Sequence, residues 1–204
     1  MKYVFFVLGI IILSLGIALT IVSGLGTSPF DALLVGLSSS IGLSVGSWEI
    51  ILAFITIFIN ALLNWEKPEM LGLITALITG VGIDTWLYIF FYLDLTTLLI
   101  SKIVHFSIGL ILIGFGTSVY LQTNFAPIPL DKLTLIIRDR LRTNIFVSRT
   151  IIYIVCLILA FFLNGPIGIG TVLTVAFGGV ILNYFMPVTD KILHRFVKQP
   201  KEAV

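Results

Sequence analysis

Six runs of mainly apolar residues, at about 3–23, 47–63, 70–92, 102–122, 147–163 and 167–187, constrain this chain more than any other feature. A helix needs about 20 apolar residues to cross the hydrocarbon of a bilayer. In lipid, only helices and closed barrels satisfy their own backbone hydrogen bonds. Six helical spans are therefore expected, the second and fifth on the short side. Charge agrees: 11% of the 204 residues are Asp, Glu, Lys or Arg, against about a quarter in soluble domains. The first run follows Lys2 as a signal peptide would, but it exceeds the usual apolar stretch of about 7–15 residues and is read as a retained span.

The chain resembles itself when shifted by 100 residues. Gly9 falls on Gly109, Gly16 on Gly116, Pro29 on Pro129, Asp31 on Asp131, and Asn64 on Asn164. Past residue 64 the shift becomes 99 and brings Thr75 to Thr174, Gly80 to Gly179 and Asp84 to Asn183. Apolar matches carry little weight between membrane helices; a Pro-x-Asp match outside the spans, in register with two glycine pairs, carries more. The expected organisation is one polytopic domain over 1–204. Repeat one covers about 1–93 and repeat two about 102–190, with a short basic tail at 191–204.

Three spans per repeat means that the second repeat enters the membrane from the opposite side. Charge placement fits. With both termini in the cytoplasm, eleven of the twelve Lys and Arg lie inside and only Lys102 lies outside, alongside the acids Asp31, Glu49 and Asp94. Inverted-topology repeats are a trait of secondary transporters, although some channels share it.

Between the first two spans lies SGLGTSPFDALLVGL, residues 23–37. Ser28 suits an N-cap, Pro29 the first helical position and Asp31 the place of a capping acid. Gly24 and Gly26 allow a sharp turn before it. A short helix is expected from about Pro29 to Ser40, either re-entrant or flat on the surface. Its second copy, NFAPIPLDKLT at 124–134, keeps Pro129 and Asp131 but has Asn124 and Ala126 for the glycines and no capping serine. The short helix it opens is amphipathic, with Leu130, Leu133, Ile136, Ile137 and Leu141 mainly on one side and Lys132, Arg138, Asp139, Arg140 and Arg142 mostly on the rest. That pattern suits the cytoplasmic interface of an anionic bilayer rather than nucleic acid.

A helix N-terminus offers free N–H groups and partial positive charge, and interrupted segments at matching places in two halves point to a transport site. The candidate substrate-binding residues are Gly24, Gly26, Ser28, Pro29, Asp31, Pro129 and Asp131; plain helix capping at opposite surfaces is the competing reading. Asp84, in GVGIDTW inside the third span, and its equivalent Asn183 are candidate proton-coupling or polar intramembrane positions. A carboxylate at mid-membrane costs about 2.5–3.5 kcal/mol on insertion scales. An acid there faces protein or water, or carries its proton; an interfacial place beside Trp86 and Tyr88 is equally open. Glu49 and Arg149 are repeat partners at helix starts and are expected at opposite surfaces, not as an ion pair. Gly9, Gly16, Gly109 and Gly116 are expected to let the first and fourth spans pack closely. Cys156 is read as a small core hydrophobe and His105 as interfacial. GLGTSP lacks the last glycine of a dinucleotide fingerprint, and GVGID places its acid one residue too late for the GxGD of intramembrane aspartyl proteases.

An opening span followed by GLGTSPFDALLVGLS resembles the YczE/YyaS/YitT-type bacterial membrane proteins, through Gly24, Gly26, Pro29, Phe30 and Asp31, and in length is nearest the YczE branch. The resemblance implies a multi-pass protein of the bacterial plasma membrane and little about activity. The expected fold is all-α: six transmembrane helices as two inverted three-helix repeats, each with a short extra helix after its first span. The expected function is secondary transport of a small polar or anionic solute. The alternative is a substrate-binding or accessory subunit of a multi-component importer or biosynthetic complex. No enzyme, cofactor, metal or nucleic-acid partner is expected; the bilayer, an unidentified solute, and a second copy or partner subunit are the partners considered.

Overall fold

The structure is a computed structural model that describes residues 2–93 and 98–196, with the side chains of 194–196 left aside. Asp94, Lys198, Lys201 and the rest of the 197–204 tail lie outside the described residues, as does the Arg195 side chain. The described residues form eight α-helices and no strands: α1 (Lys2–Ser23), α2 (Pro29–Ile41), α3 (Val45–Asn64), α4 (Leu71–Tyr92), α5 (Leu99–Leu121), α6 (Pro129–Leu141), α7 (Ile145–Phe162) and α8 (Ile169–Phe196). All but α2 and α6 are long and apolar enough to cross a membrane. The order long, short, long, long occurs twice. The chain is a multi-pass membrane protein, and many side chains left on the outside of the bundle, such as Phe58, Val155, Ile158 and Phe161, are apolar.

The spans begin and end within a few residues of the apolar runs, with one exception. α8 continues to Phe196, past Pro187, instead of stopping there. Part of the expected tail is thus helix. Pro costs a helix one backbone bond, and neighbouring groups make this tolerable in membrane helices. Nearby, Gln122 Nε2, just after α5, donates to the Met186 carbonyl at 3.1 Å and ties α8 to α5.

Close packing is concentrated where α1 crosses α5 in antiparallel sense. A Cβ added at Gly16 would sit 2.7 Å from the Gly109 carbonyl oxygen, and one at Gly116 would sit 2.5 Å from the Leu13 nitrogen. Neither leaves room for a side chain, so the glycines set the helix separation as the sequence suggests. Phe6, Ile10, Leu13, Ile83 and Tyr120 fill the core around this crossing. α4 lies against α1 and α8 against α5. The short helices cross over: α2 packs on α7, and α6 packs on α3. Asn60 Nδ2 in α3 donates to the Pro129 carbonyl at 2.9 Å, and Thr75 Oγ1 in α4 donates to the Ala126 carbonyl at 2.8 Å, tying the start of α6 to the other half. On α6, Lys132 pairs with Glu69 and Arg138 with Asp139, and Arg140 donates to the Leu63 carbonyl. The neighbouring guanidinium holds the Asp139 carboxyl below the ordinary aspartate range.

One pairing breaks the pattern. α3 packs closely on α4, whereas among the described residues α7 and α8 meet at most marginally.

Candidate functional site

The N-terminus of α2 is capped as its sequence implies. Ser28 Oγ accepts from the Asp31 N–H at 3.1 Å and donates to Asp31 Oδ2 at 2.6 Å. Thr27 Oγ1 lies 3.4 Å from the same carboxylate oxygen as a further donor. Asp31 is 6% exposed. Gly24 and Gly26 have φ of +65° and +99°, in the left-handed region that glycine enters freely. Gly26 also meets the loop before α8, where an added Cβ would be 2.6 Å from the Gly168 nitrogen. In the second copy Asn124 keeps the positive φ, at +45°, as asparagine can.

α6 lacks a side-chain cap, since Ile128 stands at the N-cap. Asp131 is held instead by other helices. Its Oδ2 accepts from Tyr120 Oη of α5 at 3.0 Å, and its Oδ1 accepts from Arg149 Nη2 of α7 at 3.1 Å. The Arg149 guanidinium carbon lies 5.7 Å from the centre of the Tyr153 ring, within cation–π range. Missing a serine at the cap thus leaves the acid free to pair with a cation one turn into the next span.

These groups line a single cavity of about 460 Å³ that draws on both halves of the chain. Ser28, Asp31 and Glu49 come from the first half, and Tyr120, Asp131, Arg149 and Tyr153 from the second. α8 supplies Thr174, Gly178, Gly179 and Asn183. The volume falls in the range of small-molecule sites, about 300–1,000 Å³. A second crevice of about 560 Å³ between α5 and α8 is lined by apolar side chains and Ser107 and carries no charge.

Four of the expected residues, Ser28, Asp31, Asp131 and Asn183, therefore meet in one place. Gly24, Gly26, Pro29 and Pro129 do not line the cavity; they shape the backbone that delivers the acids. Asp84 does not line it either. Its Oδ2 accepts from Ser44 Oγ at 2.5 Å and its Oδ1 from the Gly46 N–H at 2.8 Å, so its carboxylate caps the start of α3 from a neighbouring helix. Charge at a helix N-terminus is favoured by the free N–H groups there, and this contact makes Asp84 a fastener between α3 and α4. Beside it, Gly46 and Gly80 bring the two backbones together: a Cβ on Gly46 would lie 2.0 Å from the Gly80 oxygen.

Sequence reasoning missed Glu49 as a site residue. Rather than lying at the surface it is 5% exposed and lines the cavity with Arg149. The signal was present: Glu49 and Arg149 stand at equivalent places, one turn into a span that follows a short helix. What could not be read was that the short helices fold across to the other half and turn those first turns inward. Tyr120 and Tyr153 carried no signal beyond their type.

Fold and site together define a polytopic α-helical membrane protein with a charged internal cavity. The chain belongs to the family of unknown function DUF6198, whose model matches residues 1–187. It is similar to the uncharacterized protein YyaS of Bacillus subtilis, 57% identical over 191 residues, covering 94% of this chain and 95% of the relative. It is also similar to the uncharacterized membrane protein YczE of the same organism, 33% identical over 205 residues, covering 100% and 94%. An uncharacterized protein of Haemophilus influenzae is 31% identical over 189 residues, covering 90% and 82%. The YczE/YyaS likeness seen in the motif thus extends along the chain, with identity higher to YyaS than to the YczE branch it was set beside. No solved structure matches.

Proposed function

We propose that the protein is a secondary transporter that carries a small polar solute across the bacterial plasma membrane by alternating access of two inverted halves. One observation carries this reading: a charged cavity draws on both halves, and of the two equivalent helix pairs beside it one is tightly packed and the other stands apart. α3 meets α4 through Gly46, Gly80 and the Asp84 fastener. Among the described residues α7 meets α8 at most marginally, and the equivalents of Gly80 and Asp84, Gly179 and Asn183, line the cavity there. Two halves that can each take either packing give two states of similar energy, which is what alternating access requires. With both termini in the cytoplasm, as the placement of Lys and Arg suggests, α3 begins outside and α7 begins inside, so this state faces the cytoplasm.

Thiol accessibility tests the reading. In a Cys156→Ala background, a Thr117→Cys variant places one thiol on the cavity wall. The expected result is labelling by an impermeant reagent from both faces of oriented membrane vesicles. Labelling from one face alone, under every solute and ion gradient applied, would overturn alternating access and favour the accessory-subunit reading.

A further inference from the structure

The two halves of the cavity treat their acids differently. Asp131 faces Arg149 and pairs with it at 3.1 Å. At the equivalent places, 100 residues earlier, Asp31 faces Glu49: an acid stands where the second half has its guanidinium. Both first-half acids line the same cavity. Asp31 is partly satisfied by Ser28 and Thr27. Glu49 has no hydrogen-bond or ion-pair partner among the described residues, although it is 95% buried and lines the cavity. A carboxylate without a partner is costly to bury, so Glu49 is the group in the cavity wall with most to gain from a ligand that enters it.

From this geometry we infer that the solute is a small organic cation bearing an ammonium or guanidinium group, held between Asp31 and Glu49. The inference rests on the cavity being the solute site, as proposed above, and narrows the polar-or-anionic expectation. Three carboxyl groups line the cavity against the single guanidinium of Arg149, which is already engaged. An anion would meet an excess of like charge. A cation at Asp31 and Glu49 would receive the pairing that Arg149 gives Asp131. Tyr120, Tyr153, Phe30 and Phe146 are also among the lining residues, and aromatic rings attract cations. A bare metal ion suits the site less, because no group of three or more His, Cys, Asp or Glu stands close enough to hold one among the described residues.

The test uses the purified full-length protein in detergent and four matched probes: n-butylammonium, methylguanidinium, butyrate and butanol at equal ionic strength. Saturable thermal stabilisation by at least one cation, with none by butyrate or butanol, is expected. Glu49→Gln should weaken the apparent affinity about ten- to hundredfold, the value of a hydrogen bond to a charged group. Glu49→Asp, which keeps the charge, should lose less and guards against a Gln variant that fails to fold. Saturation by butyrate instead, no saturation by either cation, or equal cation affinity in a folded Glu49→Gln variant would overturn the inference. Uptake of labelled methylguanidinium into proteoliposomes separates the two claims. Cation binding without uptake would sustain the solute class and remove transport; uptake of labelled butyrate but not of the cation would do the reverse.

Discussion

Gly80 and Gly179 occupy equivalent places in α4 and α8, yet the same substitution should act on them in opposite directions. A Cβ at position 80 would lie 2.5 Å from the Gly46 carbonyl oxygen, about 0.9 Å short of the 3.4 Å at which ordinary contact begins. The obstacle is backbone, so no side-chain rotation relieves it. Overpacking of this kind costs about 1–3 kcal/mol, and replacing a mid-helix glycine by alanine returns up to about 1 kcal/mol. Gly80→Ala should therefore destabilise the protein by about 1–2 kcal/mol. At position 179 nothing lies within 4 Å of the added atom, so only the helix-propensity gain of about 0.5–1 kcal/mol remains. Thermal or denaturant unfolding of the purified variants in a mild detergent should rank Gly179→Ala at or above the parent and Gly80→Ala clearly below it. The added methyl at 179 would also stand in the way if α8 were to approach α7 as closely as α4 approaches α3, so transport should fall in a variant whose stability does not. Equal destabilisation by the two substitutions would refute the reasoning, because it would mean that α8 is packed on α7 as tightly as α4 on α3.

Other substitutions probe the remaining contacts. Asp84→Ala removes two acceptor contacts to the start of α3 and should lower unfolding stability by about 2 kcal/mol, the half-exposed site keeping the loss moderate; a change within error would show that the α3–α4 seal rests on the glycines alone. Gly16→Val pushes a branched side chain against the Gly109 oxygen and the Ile113 nitrogen and should cost about 3 kcal/mol, at the upper end of overpacking, as read by loss of folded protein on size-exclusion chromatography. Arg149→Met should cost about 1–2 kcal/mol, below the 3–5 kcal/mol of a fully buried pair, because the Arg149 and Asp131 side chains are 39% and 31% exposed. Combining it with Asp131→Asn should cost less than the two changes added together, and strict additivity in the unfolding free energies would argue against the pair.

Much of the architecture is legible in the chain because lipid imposes it locally. Apolar runs of span length locate the six long helices to within a few residues, except where α8 passes through Pro187. Serine, proline and aspartate at 28, 29 and 31 announce the start of α2 because capping is satisfied by neighbours in sequence. The glycines at 9, 16, 109 and 116 announce a close crossing because no other residue lets two backbones approach so nearly.

The candidate site is a different matter. Asp31 and Asp131 are expected together from the 100-residue shift, and both line the cavity. That Glu49 joins them while Asp84 leaves them does not follow from that shift, because the role of a carboxylate depends on which donors lie across the space from it. Asp84 found Ser44 and the Gly46 N–H, forty residues away in the chain. Glu49 found none, because α2 crosses to α7 and α6 to α3 and their crossing carries the first turns of α3 and α7 into the interior. The spans, caps and glycine crossings were written in local pattern, since the bilayer and the helix backbone act residue by residue. Which acid is fastened, which is left facing a cavity, and which helix pair stands apart arise from contacts between distant segments, and those exist only once the helices have packed.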